Sequence, residues 1–154
     1  MEYHAQRFLL ARYMIEPMNP DKEDMTNPDT TTFPKVHLGK DGIMRVNYGH
    51  NPVLSTEGLL SVVERRLAIT RTPTPVLVSM TGRPVVTPNQ TSVMHEERYR
   101  SITTAVAYVT TEWYIQHLIN IHLKVNKPPF PLFIFDTEEE AVPWLARFIY
   151  HEIP

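Results

Sequence analysis

Apolar and polar positions follow secondary-structure periods along most of this chain, and they lose them between residues 16 and 34. Ahead of that break, Phe8, Leu9, Leu10, Tyr13, Met14 and Ile15 make a short apolar segment, read as a helix that must bury its face on this domain or on a partner. The break itself, residues 17–34, is rich in Pro, Asp, Asn and Thr and poor in large apolar residues. It is expected to be a linker without a core of its own. The chain therefore divides into an apolar segment at 1–16, a linker at 17–34 and a domain at 35–154.

Within that domain, Val36, Leu38, Ile43, Val46 and Tyr48 flank the turn Gly39-Lys40-Asp41-Gly42, the signature of a hairpin. Ser55 or Thr56 is placed to cap a helix in which Leu59, Leu60, Val63 and Leu67 form the apolar face. Glu57, Glu64, Arg65 and Arg66 are assigned to its polar side. Pro73 and Pro75 introduce a short buried strand, Val76-Leu77-Val78. Thr87-Pro88-Asn89-Gln90 then reads as a capped helix start, with proline at the first helical position, and the helix is expected to reach about Ser101. Ala105 to Val109 is a nearly continuous apolar strand of the kind covered on both faces. Thr110 or Thr111 opens a further helix to Val125, ended by Lys127-Pro128-Pro129. Phe130 to Phe135 predicts a last strand. Asp136 and Glu139 predict a capping box for a final helix carrying Ala141, Trp144, Leu145, Phe148 and Ile149 on one face. Strands alternating with helices after an opening hairpin predict an α/β fold with parallel pairing and right-handed crossovers, begun by an antiparallel hairpin.

Composition narrows the function. A net charge of −2 argues against a nucleic-acid partner, which selects for an excess of Lys and Arg. No apolar run approaches the roughly 18 residues a membrane span needs, and Glu2, His4, Arg7 and Arg12 interrupt any signal-peptide core, so a cytoplasmic location is expected. Cysteine is absent, which removes disulfides, thiol catalysis and thiolate metal sites.

The search for chemistry returns little. The five glycines make neither a phosphate loop nor a dinucleotide fingerprint, and the seven histidines never form H-E-x-x-H. His117 and His122 are five apart on one helix and cannot share a metal. His95-Glu96-Glu97-Arg98 reads as a solvated helix face, and Glu138-Glu139-Glu140 as negative charge at a helix N-terminus. The chain is thus expected to be no enzyme and to need no cofactor or metal. Two stretches remain as candidate contact surfaces. One is the loop and helix start from Thr81 to Ser92, with Gly82, Arg83, Thr87, Asn89 and Thr91, placed beyond the C-terminal end of a buried strand where open α/β sheets put their sites. The other is the helix bearing Trp113, Tyr114, Leu118, Ile119 and Ile121, apolar around more of its girth than one core contact requires.

The stretch from Asp41 to Arg147 resembles the STAS-like domains of the SpoIIAA-like group, relatives of anti-sigma-factor antagonists. Three pieces carry the likeness: Asp41-Gly42-Ile43-Met44-Arg45-Val46, Ala105 to Val109, and the run from Asn126-Lys127-Pro128-Pro129-Phe130-Pro131 through Ile134 to Ala141 and Trp144-Leu145. The resemblance implies a mixed sheet of four to five strands with helices packed against it and a role in protein–protein regulation. The apolar helix bearing Trp113 to Ile121 adds the expectation of a protein partner that includes a second copy of the chain. The serine phosphorylated in such antagonists falls here on Pro88, which has no hydroxyl; Thr87, Thr91 and Ser92 are its hydroxyl-bearing neighbours. The fold also resembles the lipid-binding CRAL-TRIO domains, which implies as an alternative a carrier of a small apolar ligand, its pocket lined by Trp113, Tyr114 and Phe130.

Overall fold

The structure, a computed structural model, describes residues 33–87 and 91–150. The expected segment at 1–16 and nearly all of the linker lie outside those residues. The opening hairpin forms as its turn residues dictate. Strands β1 (Lys35–Leu38) and β2 (Met44–His50) pair antiparallel with Val36 opposite Val46. Gly42 sits at φ 83°, a conformation open to glycine, and its N–H donates to the Gly39 carbonyl at 3.0 Å. The turn is clamped by Arg45, whose guanidinium donates to both Asp41 carboxylate oxygens at 2.9 and 2.8 Å. The same guanidinium reaches Glu138 at 2.8 Å.

From there the chain builds a five-stranded sheet. β4 (Thr74–Thr81) lies beside β2, β6 (Thr103–Val109) beside β4, and β7 (Leu132–Phe135) beside β6, all three pairings parallel. The order is β1-β2-β4-β6-β7, so β1 and β7 are the edges. A separate two-stranded ribbon joins β3 (Val53–Leu54) to β5 (Val85–Val86) in parallel. This is the mixed sheet with an antiparallel opening that the sequence pattern predicts.

Each face of the sheet carries its own core. On one, helix α1 (Thr56–Ile69) packs Val62 and Val63 against Met44, Val46, Val76, Val78 and Val106. Its N-cap is Ser55, whose hydroxyl accepts from the Gly58 N–H at 3.0 Å. On the other face, α5 (Glu138–Ala146) sets Ala141 and Leu145 on Ile43, Leu77, Ala105 and Ala107. The two alanines of β6 are fully buried and leave room for the helix to approach.

Several expectations need correction. Arg66 is not on the solvated side of α1: it is only 1% exposed. Its position three and four residues beyond Val63 and Val62 puts it on the core face, and the polar partners it meets there let it stay. The helix expected from Thr87 to Ser101 is two short helices, α2 (Thr91–His95) and α3 (Glu97–Arg100), because the chain turns extended at Glu96. The final helix is capped by Thr137, whose hydroxyl accepts from the Glu140 N–H at 3.2 Å, one residue later than the Asp136–Glu139 box. The strand that opens at Val76 in the sequence pattern begins at Thr74 and includes Pro75. Proline is tolerated there because the ladder is irregular: Thr103 opposes Thr74, Ala105 opposes Pro75, and Thr104 between them is unpaired.

Candidate functional site

The parallel strands β2, β4, β6 and β7 all end on one rim of the sheet, and the rim collects most of the polar groups singled out in the sequence. At the end of β2, the His50 imidazole Nδ1 lies 3.0 Å from the Thr81 hydroxyl at the end of β4. The Asn51 N–H donates to the Thr81 carbonyl at 2.9 Å, and its side-chain oxygen accepts from the Arg83 N–H at 2.7 Å. Gly82 is held at φ 74° between these groups, and a Cβ there would collide with the Asn51 amide and the His50 ring. Glycine is therefore a local necessity of the rim, on both conformational and steric grounds.

Beyond Gly82 the ribbon takes over. Val85 N–H donates to the Pro52 carbonyl at 2.8 Å and Thr87 N–H to Leu54 at 3.1 Å. The Thr87 hydroxyl also donates to the Leu54 carbonyl at 3.2 Å. Residues 88–90 lie outside the described residues, and with them the expected capping turn and Asn89. Thr91 and Ser92 open α2, which is all the structure describes of them.

Helix α4 (Trp113–Val125) starts on the same rim. Before it, the Glu112 N–H donates to the Thr110 hydroxyl at 3.2 Å, so a threonine does shape the entry although Glu112 is the N-cap. The Gln116 amide donates to the Thr110 carbonyl and to the Asp136 carboxylate, both at 2.7 Å. The Tyr114 hydroxyl donates to the Gly82 carbonyl. That last bond joins the two candidate surfaces, which are separated by about thirty residues in sequence, into one.

The apolar character of α4 is only partly satisfied. Ile115 alone among its residues is buried, and Leu118, Ile119, Ile121 and Leu123 are half-buried. Trp113 is 71% exposed and stands edge-on to Tyr114, ring centroids 6.0 Å apart. Phe130 is elsewhere, buried against Tyr99 at 5.6 Å. Trp113, Tyr114 and Phe130 thus do not enclose a common apolar pocket, since one is in the core and another faces solvent. His95 and His117 are both exposed, on α2 and α4 respectively. Among the described residues, no group of three or more His, Asp or Glu is placed to hold a metal. No helix among them is long and apolar enough to cross a membrane.

Two features escaped the sequence pattern. The first is the buried Arg66, whose guanidinium donates to the Thr103 hydroxyl at 3.0 Å and the Ile102 carbonyl at 2.8 Å and stands over the Tyr99 ring at 5.5 Å. Burial lowers its pKa from the usual arginine value, and burial likewise raises those of Tyr48 and Tyr99 near it. Its spacing from Val62 and Val63 was the available signal. The second is an aromatic stack on the α5 face: Phe133 to Phe135 at 5.0 Å, Phe135 to Trp144 at 5.5 Å and Trp144 to Phe148 at 4.9 Å. Its signal was the period of two in Phe133 and Phe135 set against Trp144 and Phe148 one helical turn apart.

Comparison with curated proteins finds no match. Among solved structures, the chain is similar to an uncharacterised protein of the DUF3478 family with a SpoIIAA-like fold from Shewanella loihica PV-4. The identity is 14% and the TM-score 0.48, over 72% of this chain and 90% of that one. A family model, that of a domain of unknown function designated DUF7793, matches residues 37–149. The chain belongs to the DUF7793 family.

Proposed function

We propose that this is a non-enzymatic protein-interaction domain of regulatory type, and that a protein partner binds the rim formed by the Thr81–Arg83 loop and the first turns of α4. The observation that carries the reading is Trp113, 71% exposed at the head of an apolar helix. A large aromatic side chain held in water on a fixed support is the usual anchor of a protein contact. Here the support is fixed: the neighbouring Tyr114 ties the helix to the Gly82 carbonyl, and Asn51 ties the loop to β2. The polar groups of the rim favour binding over catalysis, because His50, Asn51, Thr81, Gln116 and Asp136 are engaged in holding the loops to one another.

The test is a photoreactive benzoylphenylalanine at position 113 of the full chain, in the cells that produce it. The expected result is an adduct with one defined protein, weakened when Tyr114→Phe releases the loop from the helix. Labelling no different from that of the same group at exposed Lys40 would overturn the proposal.

A further inference from the structure

The free edge of β7 presents a second surface, on different residues from the rim. β7 is Leu-Phe-Ile-Phe, without a charge, a proline or a bulge, and no strand lies beyond it among the described residues. Sheet edges are ordinarily blunted by such features, and β1 at the other edge carries Lys35 and His37. The hydrogen bonds to β6 fix which backbone groups are spare. Val106 N–H donates to the Pro131 carbonyl at 2.9 Å and Thr110 N–H to the Phe135 carbonyl at 3.1 Å. Pro131, Phe133 and Phe135 therefore point their backbone groups inward, and Leu132 and Ile134 point theirs outward. An open depression at the C-terminal part of this strand is lined by Phe133 to Asp136, Gln116 and Asn120 of α4 and Glu140 of α5. Phe133 is 56% exposed there, at the open end of the aromatic stack.

We infer that this edge pairs antiparallel with β7 of a second copy, about a two-fold axis at Phe133, to give a continuous ten-stranded sheet. The strand is complementary to itself in that arrangement. Leu132 of one copy meets Ile134 of the other in a hydrogen-bonded pair, twice over, and the two Phe133 residues face each other between those pairs. The side-chain chemistry agrees, since the two aromatic stacks become continuous across the axis. Charge selects the antiparallel sense. Lys124 in the last turn of α4 and Lys127 after it, both exposed, precede β7 in the chain, while exposed Asp136, Glu139 and Glu140 follow it. The two-fold axis brings each basic end beside the partner's acidic end, whereas a parallel pairing would set acid against acid.

Sedimentation of the full chain over a range of concentrations tests this, with circular dichroism to confirm the fold of each variant. The wild type is expected to dimerise. Phe133→Lys, which sets like charges on the axis, is expected to weaken dimerisation about tenfold or more. Ile134→Pro is expected to do the same, since it removes an outward N–H at an edge where proline is tolerated. The chain has no cysteine, so Phe133→Cys supplies a single thiol. Facing residues of a non-hydrogen-bonded pair have Cα atoms about 4.5 Å apart, within disulfide reach. That variant is expected to form an intermolecular disulfide faster than Leu38→Cys on the β1 edge. A monomeric wild type would overturn the inference. So would a dimer indifferent to Phe133→Lys but broken by Ile119→Glu on α4, or equal oxidation of the two cysteine variants.

Discussion

Arg66 is the residue whose replacement tests the packing account most sharply, because a charge is buried there without an opposite charge. Among the described residues no carboxylate pairs with it; its partners are two oxygens at 3.0 and 2.8 Å, a longer contact of 3.5 Å to the Thr74 hydroxyl, and the Tyr99 ring. Its Nε is buried without a hydrogen-bond partner among the described residues. Two hydrogen bonds from a charged donor contribute about 1.5–3 kcal/mol each. Dehydrating the guanidinium costs several kcal/mol in the opposite direction. The two nearly cancel, so the charge itself adds little, and what remains is the volume of the side chain between α1 and the sheet. Arg66→Met keeps most of that volume and removes the charge. The Ile102 carbonyl it leaves still accepts from the Thr74 N–H at 2.9 Å. The expected change is within about 1.5 kcal/mol of wild type, the residual cost lying with the Thr103 and Thr74 hydroxyls. Arg66→Ala opens a cavity as well and is expected to lose about 3 kcal/mol more than the methionine variant. Urea unfolding followed by far-ultraviolet circular dichroism measures both. Equal destabilisation by the two variants would show that the hydrogen bonds of the guanidinium, not its volume, hold this part of the core, and would refute the reasoning.

Three further outcomes follow from single contacts. Gly82→Ala is expected to cost about 1–3 kcal/mol in the same assay, since alanine at φ 74° is strained and its Cβ displaces Asn51 and His50. The Asp41 carboxyl is held below its ordinary pKa by the hydrogen bonds from Arg45, so its contribution is complete above the unfolded value near 3.8 and fades as pH falls through the lower folded value. Because the Asp41 carboxylate is exposed to solvent screening, Asp41→Asn is expected to lose only about 0.5–1 kcal/mol at neutral pH and nothing at the acid end, as read by melting temperature against pH. Burial lowers the pKa of His122 from 6.5, so protonating it in the fold is unfavourable. The penalty is absent above 6.5, grows as pH falls towards the folded value, and is constant below it. His122→Gln is expected to flatten the melting profile in that window, and an unchanged profile would contradict the assignment.

Much of the fold was legible because its signals are local. The Asp41-Gly42 turn fixes the hairpin register, and the apolar run at Ala105–Val109 marks a strand covered on both faces. What was not legible depends on partners far along the chain. Nothing near Arg66 in sequence announces Thr103 and Ile102, so a charge read alone was assigned to solvent although its spacing placed it inward. The cap at Thr137 in place of Asp136 is a choice between neighbouring residues that local spacing does not decide. Both stretches of the rim were identified separately from their residue types. Their junction through Tyr114 and Gly82 is a product of the sheet, since only the crossover through β6 brings the two together. The β7 edge was hidden for a similar reason: an apolar strand reads as interior until the strand order shows that, among the described residues, no strand lies on its outer side.

The central claim is that this domain works by association with protein, without a bound small molecule. Native mass spectrometry of the full chain, gently desolvated, reads subunit count and bound mass together. The account predicts the mass of two chains and nothing more. A single chain carrying a defined apolar molecule would contradict it.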